Sequence, residues 1–103
     1  SLISWKGEAS YYHGRFNGRL TSNGDTFSNR LYTCANNFLP LGTSILVCNP
    51  QNGRQVIVKV NDRMHPRNHR LVDLSRQAAA ALGLLDAGVG EVQIWVLGSG
   101  QPV

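Results

Sequence analysis

The sequence predicts a mainly β domain: a small closed barrel of five or six short strands with one or two short helices. Three observations predict it. Apolar residues alternate with period two in at least two segments, an Asn-Gly turn joins two strand-like runs, and one alanine-rich stretch ends at a glycine. Closure follows from size, because a small open sheet exposes unpaired edges and a barrel does not.

In chain order, a strand is expected at residues 8–12, then a loop at 16–26 rich in Gly and Asn, then a short strand at 32–35. The strongest signal is a hairpin joining 43–49 to 55–61 across Pro50-Gln51-Asn52-Gly53, since Asn-Gly readily adopts the positive φ angles of a tight reversal. On its second strand Val56, Val58 and Val60 face one way, and Ile57, Lys59 and Asn61 the other. Residues 91–97 repeat the pattern with Val92, Ile94 and Val96. The helix begins near Ser75, whose hydroxyl can cap the first turn. It continues through the alanines at 78–81 and stops at Gly83, with Leu82 expected to seal it against the sheet.

At 103 residues, with 42% apolar and 16% charged side chains, the chain reads as one domain spanning 1–103, continuous from about 7 to 97. Its core is small, and a disulfide between Cys34 and Cys48, 14 positions apart, is expected to reinforce it. Closing such a loop is worth roughly 3 kcal/mol in the chain-entropy model. That bond implies an oxidising compartment, two buried thiols being the alternative. No stretch approaches the length needed to span a bilayer, and Ser1-Leu2-Ile3-Ser4-Trp5-Lys6 is not a signal peptide, so an exported protein would have lost its signal upstream of Ser1. The net charge of +4 favours anionic partners, but the arginines are scattered without a run or stripe, and no nucleic-acid partner is expected.

Candidate chemistry lies in the loops. Asp25, in Thr21-Ser22-Asn23-Gly24-Asp25, is either a turn residue accepting local hydrogen bonds or a carboxylate offered to a ligand. Asp62, in Asn61-Asp62-Arg63, falls where an apolar strand ends, and either pairs with Arg63 or faces whatever the rim binds. Asp73 stands just before the helix, where satisfying its free N–H groups is the favoured role. His65 and His69 have helical spacing, but Pro66 and Asn68 argue against a helix, so no metal site is expected. Tyr11, Tyr12, Phe16, Trp5 and Trp95 could stack on a sugar ring. Strand neighbours point to opposite sides, so only one of Tyr11 and Tyr12 should face a given ligand, and Tyr12 is preferred.

Taken together, Gly7-Glu8-Ala9-Ser10-Tyr11-Tyr12, Gly18-Arg19-Leu20-Thr21-Ser22-Asn23-Gly24, Leu39-Pro40-Leu41-Gly42-Thr43, Asn61-Asp62-Arg63, Asp73-Leu74-Ser75 and Leu82-Gly83 resemble the rare lipoprotein A family of bacterial septal-ring lytic transglycosylases. Each segment is weak alone; their order and spacing are specific. The resemblance implies a six-stranded double-psi β-barrel, shared with expansins and barwin-like proteins. It further implies cleavage of peptidoglycan glycan strands, preferably those without stem peptides, to 1,6-anhydro-muramic acid ends, without water or cofactor.

Asp25 falls where the family usually carries its catalytic glutamate, and Asp62 on its second important carboxylate. Asn36 replaces the family's usual histidine, and Met64-His65-Pro66 departs from its usual glycine and proline. On this reading one of Asp25 and Asp62 is the general acid and the other stabilises positive charge on the sugar, while Asn36, Asn61 and Arg63 orient carboxylates or sugar. The implied setting is the bacterial cell envelope, periplasmic or secreted, with a monomer associated with the outer membrane through a segment upstream of Ser1. Two other readings stand beside it, a non-catalytic expansin-like glycan-binding module and a barwin-like domain that binds a protein partner.

Overall fold

The computed structural model describes residues 3–12 and 18–98. Strands β1 (Ser4–Tyr11), β2 (Thr33–Ala35), β3 (Ser44–Cys48), β4 (Gln55–Asp62), β5 (Val72–Leu74) and β6 (Gly90–Gly98) close into a barrel in the order β1-β5-β2-β4-β3-β6. One helix, α1 (Arg76–Ala81), lies between β5 and β6. The β1/β5 and β2/β4 pairs are parallel and the other four antiparallel.

The alternation read from the sequence is the alternation of the wall as far as Val60. Asn61, expected to face outward with Ile57 and Lys59, is instead buried, because the register skips it at a bulge between Val60 and Asp62. Val58 and Val60 on β4, Ile45 and Val47 on β3, and Val92 and Ile94 on β6 have at most 1% of their surface exposed, whereas Ile57 is 57% exposed. Each such aliphatic side chain contributes about 1.5–3 kcal/mol on burial. Val72 and Leu74 complete the interior from β5, and Ala78, Ala79 and Leu82 close it from the helix. Ser75 caps that helix: its Oγ accepts the amide of Ala78 while its own hydroxyl donates to Leu31 O. Gly83, at φ +73°, ends it.

Two elements differ from expectation. β1 begins at Ser4, ahead of residue 8, because its inward positions include Gly7 and Ala9, too small to signal an apolar face. Gly7 is small for a reason, since a Cβ there would lie 2.8 Å from Leu71 Cβ. β5 was not expected at all. Asp73 therefore sits mid-strand rather than at the helix terminus, and Ser75 alone supplies the cap.

The expected disulfide is absent, and both cysteines are free. β4 separates their strands, with Cys34 opposite Val60 and Cys48 opposite Gln55. That register sets them five positions apart along β4 and two strands apart across it, well over the roughly 7 Å Cα limit for a bridge. Cys34 is buried in the core and Cys48 partly buried.

Candidate active site

One row across the barrel brings the polar residues together. Ala35 on β2 pairs with Asp62 of β4 on one side and Asp73 of β5 on the other, and Asp73 pairs in turn with Ser10 of β1. Directly paired residues share a face of the sheet. Asp73 is flanked by Val72 and Leu74, which point into the core, so its own side chain points away from it. Asp62 reaches the same row through a bulge, the register passing from Cys34–Val60 to Ala35–Asp62. The two aspartates thus stand two strand spacings apart, with Cα atoms roughly 9–10 Å from one another. The methyl of Ala35 forms the floor between them. Above this row lies a cleft of about 580 Å3, bordered also by Tyr12, Phe27, Arg63 and Arg70.

Asp62 is held from three directions. Its Oδ2 accepts the Tyr12 hydroxyl at 2.7 Å, and its Oδ1 accepts the Ser22 amide and hydroxyl at 3.0 and 2.7 Å and the Arg63 amide at 2.9 Å. Every one of these bonds is accepted, the pattern of a carboxylate that anchors rather than donates. Tyr12 is itself fixed, its ring stacked on Phe27 with centroids 4.3 Å apart. Burial first, then the hydrogen bond to Asp62 and its charge, raises the Tyr12 phenol well above the ordinary tyrosine range.

Asp25 belongs to a turn docked on the end of β4. The Asn23 amide donates to Asn61 O at 3.2 Å, and Thr21 N–H closes onto Asp25 O at 2.8 Å around Gly24, at φ +90°. Asp25 is exposed and is not among the residues bordering the cleft. Its Oδ2 accepts from Asn23 Nδ2 at 3.0 Å and Asn61 Nδ2 at 3.4 Å, while its Oδ1 accepts no hydrogen bond among the described residues. Asn61, the residue next to Asp62, therefore contacts Asp25, and its own Oδ1 is buried without a hydrogen-bond partner among the described residues.

Asn36 and Arg63 serve the backbone. Asn36 is fully buried, donating to Leu71 O at 3.0 Å and accepting the Phe38 and Leu39 amides at 3.0 and 2.7 Å. Arg63 Nη1 donates to Asn36 O and Leu39 O at 2.7 and 2.6 Å, binding this turn to the chain just after Asp62. Asn36 thus has no exposed surface to offer a ligand, whereas Arg63 also borders the cleft.

Both Tyr11 and Tyr12 border the cleft, against the expectation that only one would. β1 ends at Tyr11, so alternation no longer governs Tyr12, and the Tyr11 hydroxyl turns aside to donate to Leu85 O at 3.1 Å. Trp5 packs edge-on against Phe38. Phe16 lies outside the described residues. No helix forms around His65 and His69, and among the described residues no three His, Cys, Asp or Glu side chains are placed to hold a metal ion.

Sequence reasoning missed Phe27, Arg70 and above all Asp73 as cleft residues, and Ser22 as a donor to Asp62. Asp73 accepts Ser10 Oγ at 3.1 Å, Asn68 Nδ2 at 3.4 Å, and a two-point contact from Arg70 at 2.8 and 3.1 Å. A polar residue between two apolar ones, Val72-Asp73-Leu74, was the available signal of a strand facing outward.

Comparison with known proteins fits this architecture. A family model described as lytic transglycolase matches residues 4–94. The chain is 48% identical over 88 residues to the endolytic peptidoglycan transglycosylase RlpA of Pasteurella multocida, covering 85% of this chain and 30% of that protein. It is 45% identical over 92 residues to the RlpA of Haemophilus influenzae, covering 89% and 32%. The chain therefore spans about a third of the length of these relatives. Among solved structures, the Streptomyces papain inhibitor superposes with a TM-score of 0.76 at 23% identity, covering 93% of this chain and 96% of that one. An apo expansin of Clavibacter michiganensis superposes with a TM-score of 0.73 at 24% identity, covering 98% and 52%. These two likenesses establish the fold alone. With the closed six-stranded barrel and the match over residues 4–94, the chain belongs to the lytic transglycolase family of double-psi β-barrel domains.

Proposed function

We propose that this domain is a peptidoglycan lytic transglycosylase of the bacterial cell envelope, acting on the periplasmic side and preferring glycan strands without stem peptides. Relatives at 45–48% identity bear the name endolytic peptidoglycan transglycosylase. The observation that carries the reading is that Asp62, which borders the cleft, is preceded on β4 by Asn61, whose side chain donates to Asp25 on the exposed turn docked beside it.

The two carboxyls take different parts. Asp62, held by four donors, keeps its charge fixed beside the sugar and stabilises the oxocarbenium-like transition state. Asp25, with an unengaged oxygen on an exposed turn, carries the mobile proton. It protonates the glycosidic oxygen as the bond from the anomeric carbon breaks, then takes the proton of the sugar's own 6-hydroxyl as that oxygen closes onto the anomeric carbon. Proton and bonds balance, and no water is consumed. Tyr12 steadies Asp62, while Arg63 and Asn36 hold the adjoining turns.

The test is incubation of the domain with peptide-free glycan strands and mass spectrometry for 1,6-anhydro ends. Wild type is expected to produce them, with losses of about a hundredfold or more in both Asp25→Ala and Asp62→Ala. Intact strands to which the protein nonetheless binds would replace this reading with a non-catalytic glycan-binding module.

A further inference from the structure

The cleft does not end at Asp73. A second, more open depression of about 620 Å3, bordered by Glu8, Arg67, Asn68, His69 and Arg70, shares Asn68 and Arg70 with it. The two depressions adjoin, with Asn68 and Arg70 bordering both.

The second depression carries two guanidinium groups, of which Arg70 is held in place. Arg70 is fixed by Asp73 through Nε and Nη2, leaving Nη1 without a partner among the described residues. The Asp73 hydrogen bond, more than any other contact, raises its already high pKa. The turn leading to it is bonded internally: Asn68 N–H to His65 O at 2.8 Å, Arg67 N–H to His65 Nδ1 at 3.0 Å, and Arg70 N–H to Asn68 Oδ1 at 2.9 Å. Arg67 is exposed, and its guanidinium has no hydrogen-bond or ion-pair partner among the described residues. Glu8 borders the same depression, and its negative charge acts on Arg70. An anion is therefore favoured only where it meets the guanidinium groups directly, which suits a single carboxylate on a neutral scaffold better than a polyanion.

We infer that Arg67 and Arg70 form a carboxylate subsite, and that it receives the lactyl carboxylate of a muramoyl residue one or more sugars away from the cleaved bond. Guanidinium groups recognise carboxylates through paired N–H donors. A stem peptide converts that carboxylate to an amide, removing its charge and adding bulk, so the subsite selects strands from which stems have been removed. This inference rests on the glycan reading above and assigns its substrate preference to two residues.

The test reads binding rather than cleavage, in the Asp25→Ala background. Co-sedimentation isotherms are measured with peptide-free strands, the same strands with their carboxyls methyl-esterified, and strands bearing stem peptides. Esterification is expected to weaken binding about tenfold or more, the size of one lost charge-assisted contact. Arg67→Gln, which removes no contact within the protein, is expected to bind untreated strands several-fold more weakly and to discriminate far less between them and the ester. Equal binding of untreated and esterified strands, or undiminished discrimination in Arg67→Gln, overturns the subsite. Absence of anhydro ends with wild type would instead overturn the lytic reading and leave this comparison standing.

Discussion

Asn36 touches Leu71, Phe38 and Leu39 through both ends of its amide and has no exposed surface. Asn36→Ala would leave a carbonyl and two amides without those partners. Each uncompensated group costs about 1–3 kcal/mol, so a loss of about 2–4 kcal/mol is expected after local relaxation. Urea titration should show a lower midpoint with an unchanged slope. Tyr12 gives the second residue-level expectation. The folded state holds its proton more tightly than the unfolded chain, whose phenol titrates near 10.0, so its contribution is complete below that pH and declines as pH rises beyond it. Burial raises the Cys34 thiol from 9.0 with the same sign. Stability should therefore begin to fall above about pH 9, and Tyr12→Phe should make the fall beyond pH 10 shallower, as read by denaturant midpoints across that range. Asp62 was legible because Asn61-Asp62-Arg63 follows a strongly apolar strand. The part played by Asn36 was not, because nothing in Thr33-Cys34-Ala35-Asn36 reveals that the chain returns to place Leu71 O beside it.

At the level of elements, the hairpin and the helix are tied together. Asn49 and Asn52, before and within the β3–β4 turn, both donate to Leu82 O at the helix end, at 2.9 and 3.0 Å. Gly83 follows at φ +73°, and a Cβ there would lie 2.8 Å from Asn52 Nδ2. Gly53 has a similar φ of +74° but open space around it. Gly53→Ala should therefore cost only the left-handed backbone strain of about 1 kcal/mol, and Gly83→Ala about 2 kcal/mol, since it also disturbs the Asn52 bond. Scanning calorimetry should show the larger drop in Tm for Gly83→Ala, about 8–16 °C for a domain of this size. Equal drops would mean that the Asn52 contact contributes nothing. The turn and the helix were readable from Asn52-Gly53 and Ser75 to Gly83 because their signals are local. β5 was not, because three residues cannot display a period and its central Asp73 resembles a helix-start residue. That side of the cleft was lost with it, since Asp73 enters the site on that strand and holds Arg70 there.

Over the whole molecule, strand order is the least local property, and the periodicities that located strands said nothing of their partners. β2 lies between β5 and β4, and the chain is closed only when β1 pairs with β6, joining Ser4 to Trp95. Such distant pairings replace the covalent closure expected from Cys34 and Cys48. A disulfide cannot form while β4 stands between those strands, because bridging them would require breaking the pairs Cys34–Val60 and Cys48–Gln55 that build the wall. The domain's cohesion then rests on its closed sheet and on a core sealed by Leu82, both indifferent to redox state. Thermal unfolding of the purified domain with and without excess reductant should give Tm values agreeing within about 1 °C, against the shift of many degrees that losing roughly 3 kcal/mol would cause. Thiol titration after denaturation should count two free groups. A lower Tm in reductant together with blocked thiols would require β2 and β3 to become neighbours, a different strand order and a different floor for the cleft.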